Sequence, residues 1–261
     1  MYIQKMDKEI KKRLARNWFK LIQDVICFEI ENLEKKNKKF FKKKWQRNPD
    51  KDEGGGEYRI LKNGKIFEKV GVNFSEVYGK FPKATGKNIP GINQNGNFWA
   101  SGISVVMHMQ NPHIPAMHFN TRYIFTNHGW FGGGVDLTPC IKDNKEKKFF
   151  HNKLKQMCDG HNKKYYKKYK KWCDQYFYLP HRKETRGIGG IFFDYKKSNW
   201  EKDFAFVRDL GLTFKFIFRS VIENKINKNW NNNEKDLQYV KRGRYAEFNL
   251  IYDRGTKFGL Q

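Results

Sequence analysis

His108, His118, Asn120, Arg122 and Asp136 are residue types that bind anions and move protons. They fall within two segments, SGISVVMHMQNPHIPAMHFNTRYIF (101–125) and WFGGGVDLTP (130–139). An imidazole gives or takes a proton, a guanidinium grips a carboxylate through paired N–H bonds, and a carboxylate accepts N–H donors or stabilises nearby positive charge. Read with the strand period of two, Ile103, Val105, Met107 and Met109 share one face, and Ser104, Val106, His108 and Gln110 share the other. Met117, Phe119, Thr121 and Tyr123 alternate in the same way with His118, Asn120, Arg122 and Ile124, and Asn111-Pro112 and Pro115 supply a turn. A wide hairpin follows; pairing His108 with His118 would set Ser104 opposite Arg122 and Val106 opposite Asn120. A wetted sheet face would instead carry Lys, Glu and Thr, so a file free of Lys in this chain favours a site.

The elements that must position this file are legible in outline. Residues 6–33 carry a helical stripe of Ile10, Leu14, Trp18, Leu21, Val25 and Ile26, and residues 34–57 read as an exposed, charge-rich loop ending in three glycines. Asn63-Gly64 between strand-like runs in 58–70 is the signal for a two-residue hairpin turn. One long helix is expected over 145–178, a buried strand over 186–195, a helix over 201–226, a short helix over 234–241 and a final strand over 244–253. Antiparallel strands with helices before and between them make the class α+β, in a single domain over 1–261.

The formal charge of +26 in 261 residues suggests nucleic acid, an anionic surface or an acidic ligand. The excess is spread along the chain, Lys far outnumbers Arg, and Asn-rich stretches such as 227–235 accompany it. That is the mark of compositional bias and a solvated surface rather than of base readout. Cys27, Cys140, Cys158 and Cys173 have neither metal-site spacing nor disulfide density, which fits a reducing, cytoplasmic setting. No apolar run approaches a membrane span. Gly132-Gly133-Gly134 matches neither a dinucleotide nor a phosphate loop, and no haem-attachment or iron–sulfur pattern occurs, so NAD, flavin and haem are not expected.

Taken together, GVNFSEVYGKFP (71–82), GISVVMHMQNPHIPAMHFNTRY, WFGGGVDLTP, YKKWCDQYFYLPHRKETRGIGGIFFDY (169–195), FAFVRDLG (204–211) and RGRYAEFNLIYDRGTKFGLQ (242–261) resemble the oxygen-dependent coproporphyrinogen III oxidases, in family order. The resemblance implies a large, nearly flat antiparallel sheet flanked by helices on both faces, a homodimer, coproporphyrinogen III as substrate and molecular oxygen as co-substrate. It implies that two propionates become vinyl groups, giving protoporphyrinogen IX in haem biosynthesis. The alternatives are a degenerate member that binds porphyrinogen without turnover, and a basic nucleic-acid-binding protein. The family pattern continues past GLQ with a T-G-G-R segment, whereas this sequence ends at Gln261, so the usual C-terminal tail is expected to be lacking.

Residue by residue, the resemblance assigns Arg122 and Arg186 to the propionates and Asp136 to the pyrrole N–H groups. Ser104, Asn120 and Thr121 become substrate-lining positions, and His118 the proton donor. His108, His118, His151 and His181 match the histidines assigned in bacterial members to a divalent metal, manganese; the hairpin unites only the first two. His113 is expected to face solvent. Loss of Arg122 or Arg186 is expected to remove a charged anchor and leave the fold intact.

Overall fold

The computed structural model describes residues 2–35, 37–80, 96–253 and 255–256. In chain order they form α1 (Tyr2–Leu33), β1 (Phe41–Gln46), β2 (Gly54–Lys62), β3 (Phe67–Lys80), β4 (Asn97–Met109), β5 (Ala116–Phe125) and β6 (Gly129–Thr138). Then come α2 (Asn144–His161), α3 (Tyr165–Tyr176), β7 (Tyr178–Leu179), β8 (Glu184–Thr185), β9 (Gly190–Lys196), α4 (Trp200–Lys225) and α5 (Asn232–Ile251). Strands pair antiparallel in a seven-stranded sheet of order β1-β2-β3-β4-β5-β6-β9. The α+β class and the broad antiparallel sheet are as expected.

The two sheet faces have different company. Ile103, Val105, Met107, Met117, Phe119, Tyr123, Val135, Leu137, Ile191 and Phe193 join the main core cluster with residues of α1, α2 and α4. On the opposite face a smaller cluster, Cys173, Phe177, Leu179, Phe192 and Phe248, ties the end of α3 and α5 to β9. The site lies on this second face.

Five local expectations change. The buried stripe of α1 is Ala15, Phe19, Ile22, Ile26 and Ile30, while Ile10, Leu14 and Leu21 face outward. The helix carries two apolar stripes of equal period, and periodicity cannot rank them. Residues 34–57 are not all loop, because β1 and the start of β2 lie there. As an edge strand, FKKKWQ is almost wholly exposed and carries Lys where a buried strand would alternate.

The connection after Lys62 takes four residues rather than two, with Asn63 at φ 54°. Glu34, just past α1, fixes it by accepting the N–H groups of Lys65, Ile66 and Phe67 at 2.8–2.9 Å. The expected long helix is broken at Asn162, which is extended, accepts the Lys164 N–H on its side chain and the Tyr165 N–H on its carbonyl. Both halves keep one apolar period, so the break is silent in the pattern.

The expected final strand is instead the second half of α5. A capping box, Asn231 with Glu234, starts one continuous helix, and its buried Gln238, Tyr245 and Phe248 recur at helical spacing.

Candidate active site

The β4–β5 hairpin forms with a register two residues away from the one expected. Ser104 faces Asn120, Val106 faces His118 and Gly102 faces Arg122. A two-residue slip preserves side-chain parity, so the polar file survives. The next ladder extends it: His118 lies opposite Asp136, Asn120 opposite Gly134 and Arg122 opposite Gly132.

These side chains form one hydrogen-bonded line. Arg186 Nη2 donates to Asp136 Oδ2 at 2.6 Å, and His118 Nδ1 lies 2.9 Å from Asp136 Oδ1. Asn120 Nδ2 is 3.3 Å from His118 Nε2, Arg122 Nη1 is 3.4 Å from Asn120 Oδ1, and Arg122 Nη2 donates to Asp194 Oδ2 at 2.7 Å. Arg122 can only donate, so the Asn120 oxygen faces it and the Asn120 amide N–H points at His118. Nε2 of His118 is therefore the acceptor, and its proton sits on Nδ1, given to Asp136.

The line runs from a dry end to a wet one. The side chains of Arg186 and Asp136 are 1% and 3% exposed, His118 is 16% exposed and Arg122 31%. Burial works against the charged form of Asp136, but the Arg186 charge and the His118 bond hold its carboxyl below the usual carboxylate range. Burial opposes the charge of Arg186 in turn, and Asp136 stabilises it. Its guanidinium also stacks on Phe177, Tyr245 and Phe248, with centroids at 3.9, 4.5 and 4.9 Å, and donates to Asn249 Oδ1.

The residues expected in the site part company here. Ser104, His118, Asn120 and Arg122 share the face, and Asp136 and Arg186 close its buried end. Arg186 is integral to packing: its removal would strip a buried pair and three ring contacts, contrary to the expectation of an intact fold. Thr121 points to the other face, 1% exposed with its hydroxyl unpartnered, as the strand period dictates. His113 does not face solvent; its Nε2 lies 3.2 Å from the Asn229 carbonyl and 3.3 Å from Glu234.

The four histidines expected around a metal occupy four separate settings. His108 packs edge-on to Tyr245, and burial together with the Arg242 charge pushes its pKa down to about 4. His118 belongs to the line, His151 bonds the Ile188 carbonyl and Tyr166, and His181 bonds Tyr252 and Glu247. Among the described residues no group of three or more His, Cys, Asp or Glu could hold a metal ion. The donor set does not fit a divalent cation. A cavity of about 840 Å³ elsewhere, lined by Tyr123, Phe125, Lys196 and Trp200 among others, shares no residue with the line.

Asp194, Asn249, Phe177, Tyr245 and Phe248 escaped the sequence reading. Asp194 had a signal, since the period of two from Gly190 through Phe192 ends on an acid. Those on α5 were hidden by reading that segment as a strand.

The site is thus a guanidinium–carboxylate–imidazole line laid across the face of an antiparallel sheet opposite its main core. The sequence model of the family described as coproporphyrinogen III oxidase matches residues 14–261. The chain belongs to that family. It is 48% identical over 258 residues to the oxygen-dependent coproporphyrinogen-III oxidase of Rickettsia bellii (strain RML369-C), spanning 95% of this chain and 91% of that one. The enzyme of the same name from Rickettsia akari (strain Hartford) is likewise 48% identical with the same coverage.

The four cysteines are buried and free; burial pushes the thiols of Cys27 and Cys158 up to about 12. No helix among the described residues is long and apolar enough to cross a membrane.

Proposed function

We infer that the chain converts two propionates of coproporphyrinogen III to vinyl groups with molecular oxygen as the oxidant, giving protoporphyrinogen IX. For each propionate the bond to the carboxyl carbon breaks and releases carbon dioxide, the neighbouring carbon loses a hydrogen, and the two electrons reduce oxygen to hydrogen peroxide. A porphyrinogen is electron-rich enough to reduce oxygen without a resident redox group, so the protein's task is position and charge.

The observation that carries this reading is the line itself, graded from a buried ion pair to a half-open arginine. Arg122 anchors a propionate carboxylate at the open end, worth about 1.5–3 kcal/mol per charged hydrogen bond. His118, two residues away on the same face, reaches the reacting side chain and moves the proton. Nε2 is its accepting nitrogen, so a substrate proton that displaces the Asn120 N–H is taken up there and can then be returned. Asp136 fixes the His118 tautomer and places a permanent negative charge under the macrocycle as it becomes electron-deficient. Each of its oxygens keeps a second lone pair for pyrrole N–H donors. With its side chain 3% exposed, direct contact requires its cover to move aside, whereas its field acts without that movement. Arg186 serves by holding Asp136. Ser104 lines the same face beyond Asn120, and the reaction is assigned no step at a metal.

The test is to bind coproporphyrinogen III anaerobically, admit a pulse of oxygen, and identify the product by mass. Loss of two carboxyl groups with hydrogen peroxide formed in equal number is expected. Bound substrate returned unchanged would leave a porphyrinogen-binding protein and refute the activity.

A further inference from the structure

Arg122, Gly132 and Asp194 lie in a row across three neighbouring strands. Arg122 on β5 pairs with Gly132 on β6, and the β6–β9 ladder slips between Phe131 and Gly133, leaving Asp194 beside Gly132. The slip is accommodated by Tyr195, whose φ of 53° is in the left-handed region and whose N–H is taken by Asp194 Oδ1 at 3.1 Å. Oδ2 then reaches over the middle strand to Arg122. Only a residue without a side chain permits this: a Cβ on Gly132 would sit 2.5 Å from Asp194 Oδ1 and 2.9 Å from Arg122 Cζ. A strand irregularity, a left-handed tyrosine and a glycine thus converge on one ion pair.

Such a pair is at odds with a simple anion anchor. A carboxylate 2.7 Å from the guanidinium, with a side chain only 8% exposed, already neutralises the charge that a substrate carboxylate would seek. The reaction explains the need. A propionate reaches Arg122 as an anion, and the group that replaces it is an uncharged vinyl. A lone, partly desolvated arginine would favour the first strongly and be left uncompensated by the second.

We propose that Asp194 is a positioning residue that holds Arg122 by one edge and supplies a standing countercharge, so that one position accepts a propionate before reaction and a vinyl group after it. This rests on the activity inferred above. It makes Asp194 a determinant of product tolerance rather than of substrate capture.

The test compares binding of two stable, oxidised macrocycles, coproporphyrin III and protoporphyrin IX, by fluorescence titration of the full chain. In Asp194→Asn the preference for coproporphyrin III should widen roughly tenfold, since the vinyl-bearing ligand now leaves Arg122 unpaired. Asp194→Glu, which keeps the charge, should stay within about twofold of wild type on the same scale. In an Arg122→Ala background Asp194→Asn should leave the preference where it was. A merely structural role would shift both ligands together and would persist without Arg122. If Asp194→Asn does not fold, Gly132→Ala separates the pair sterically and should widen the preference in the same direction. An unchanged preference in a wild-type and variant pair that bind both ligands overturns the proposal alone. A wild-type chain that binds neither overturns the inferred activity, and this proposal with it.

Discussion

Replacing Asp136 with Asn should cost both stability and rate, by separable routes. Asp136 and Arg186 meet at 2.6 Å with side chains 3% and 1% exposed, so a neutral amide leaves the guanidinium buried without a countercharge. Breaking a pair of this kind costs about 3–5 kcal/mol, which for a chain of this size lowers the melting temperature by roughly 6–20 °C. The amide also disturbs the line. If its oxygen keeps Arg186, its N–H₂ faces His118 Nδ1, which must then shed its proton to Nε2. That proton confronts the Asn120 amide, and turning Asn120 over would aim N–H₂ at Arg122.

Catalysis should fall about 10²–10³-fold, the cost typical of removing a preorganised electrostatic group. The assay pairs urea denaturation with single-turnover oxidation, at a temperature where the variant is folded. Adding Arg186→Met removes the orphaned charge, so the double variant should regain more than half the lost stability yet none of the rate. Acid titration supplies a control. The folded carboxyl of Asp136 lies below its unfolded value of 3.8, so its contribution is complete above that value and drains away as pH falls through the folded pKa. Asp136→Asn should lose that part of the acid lability. Recovery of rate together with stability in the double variant would refute the claim that the charge at Asp136 acts in the reaction.

Arg122→Ala should lower kcat/KM by roughly 10–150-fold, with a stability loss of about 1–3 kcal/mol from leaving the mostly buried Asp194 without its charged partner; an unchanged kcat/KM in the folded variant contradicts this. Glu34→Ala should cost about 3 kcal/mol in urea denaturation, since three backbone N–H groups lose their acceptor; a cost below ~1 kcal/mol means water replaces it. Raising salt should reduce kcat/KM and leave kcat alone, as screening weakens encounter rather than chemistry; parallel loss of kcat would place the salt effect inside the site. Treatment with a chelator should leave turnover unchanged, since the four candidate histidines are engaged separately, and loss restored by manganese would reinstate the metal.

What was legible follows from which signals are local. Strand alternation from 101 to 138 is a period-two pattern, and it put His118, Asn120, Arg122 and Asp136 within reach whatever the register. The exact pairing was not legible, because the turn around Asn111–Pro115 leaves the register open by even steps. Arg186 shows the harder limit. Its type suggested an anion anchor, but its role is decided by Phe177, Tyr245 and Phe248, contributed by the end of α3 and by a helix whose apolar spacing also suits a strand. Asp194 depends on Gly132 and on a slip in the β6–β9 ladder, neither of which leaves a mark in a single strand's pattern.

The charge of the molecule and the charge of its site divide the work. The chain carries +26 overall, a field that draws a polycarboxylate from any direction. Along the site line, by contrast, Arg186 is balanced by Asp136 and Arg122 by Asp194, with the His118 imidazole between them. A site sharing the surface's excess would bind its anionic substrate tightly and resist the loss of each carboxylate, because the departing charge would be the one it held best. Pairing of both arginines removes that resistance and leaves recognition to geometry: the presented edge of Arg122 and the reach of His118. Steering can then be strong without costing turnover, because the two are set by different residues.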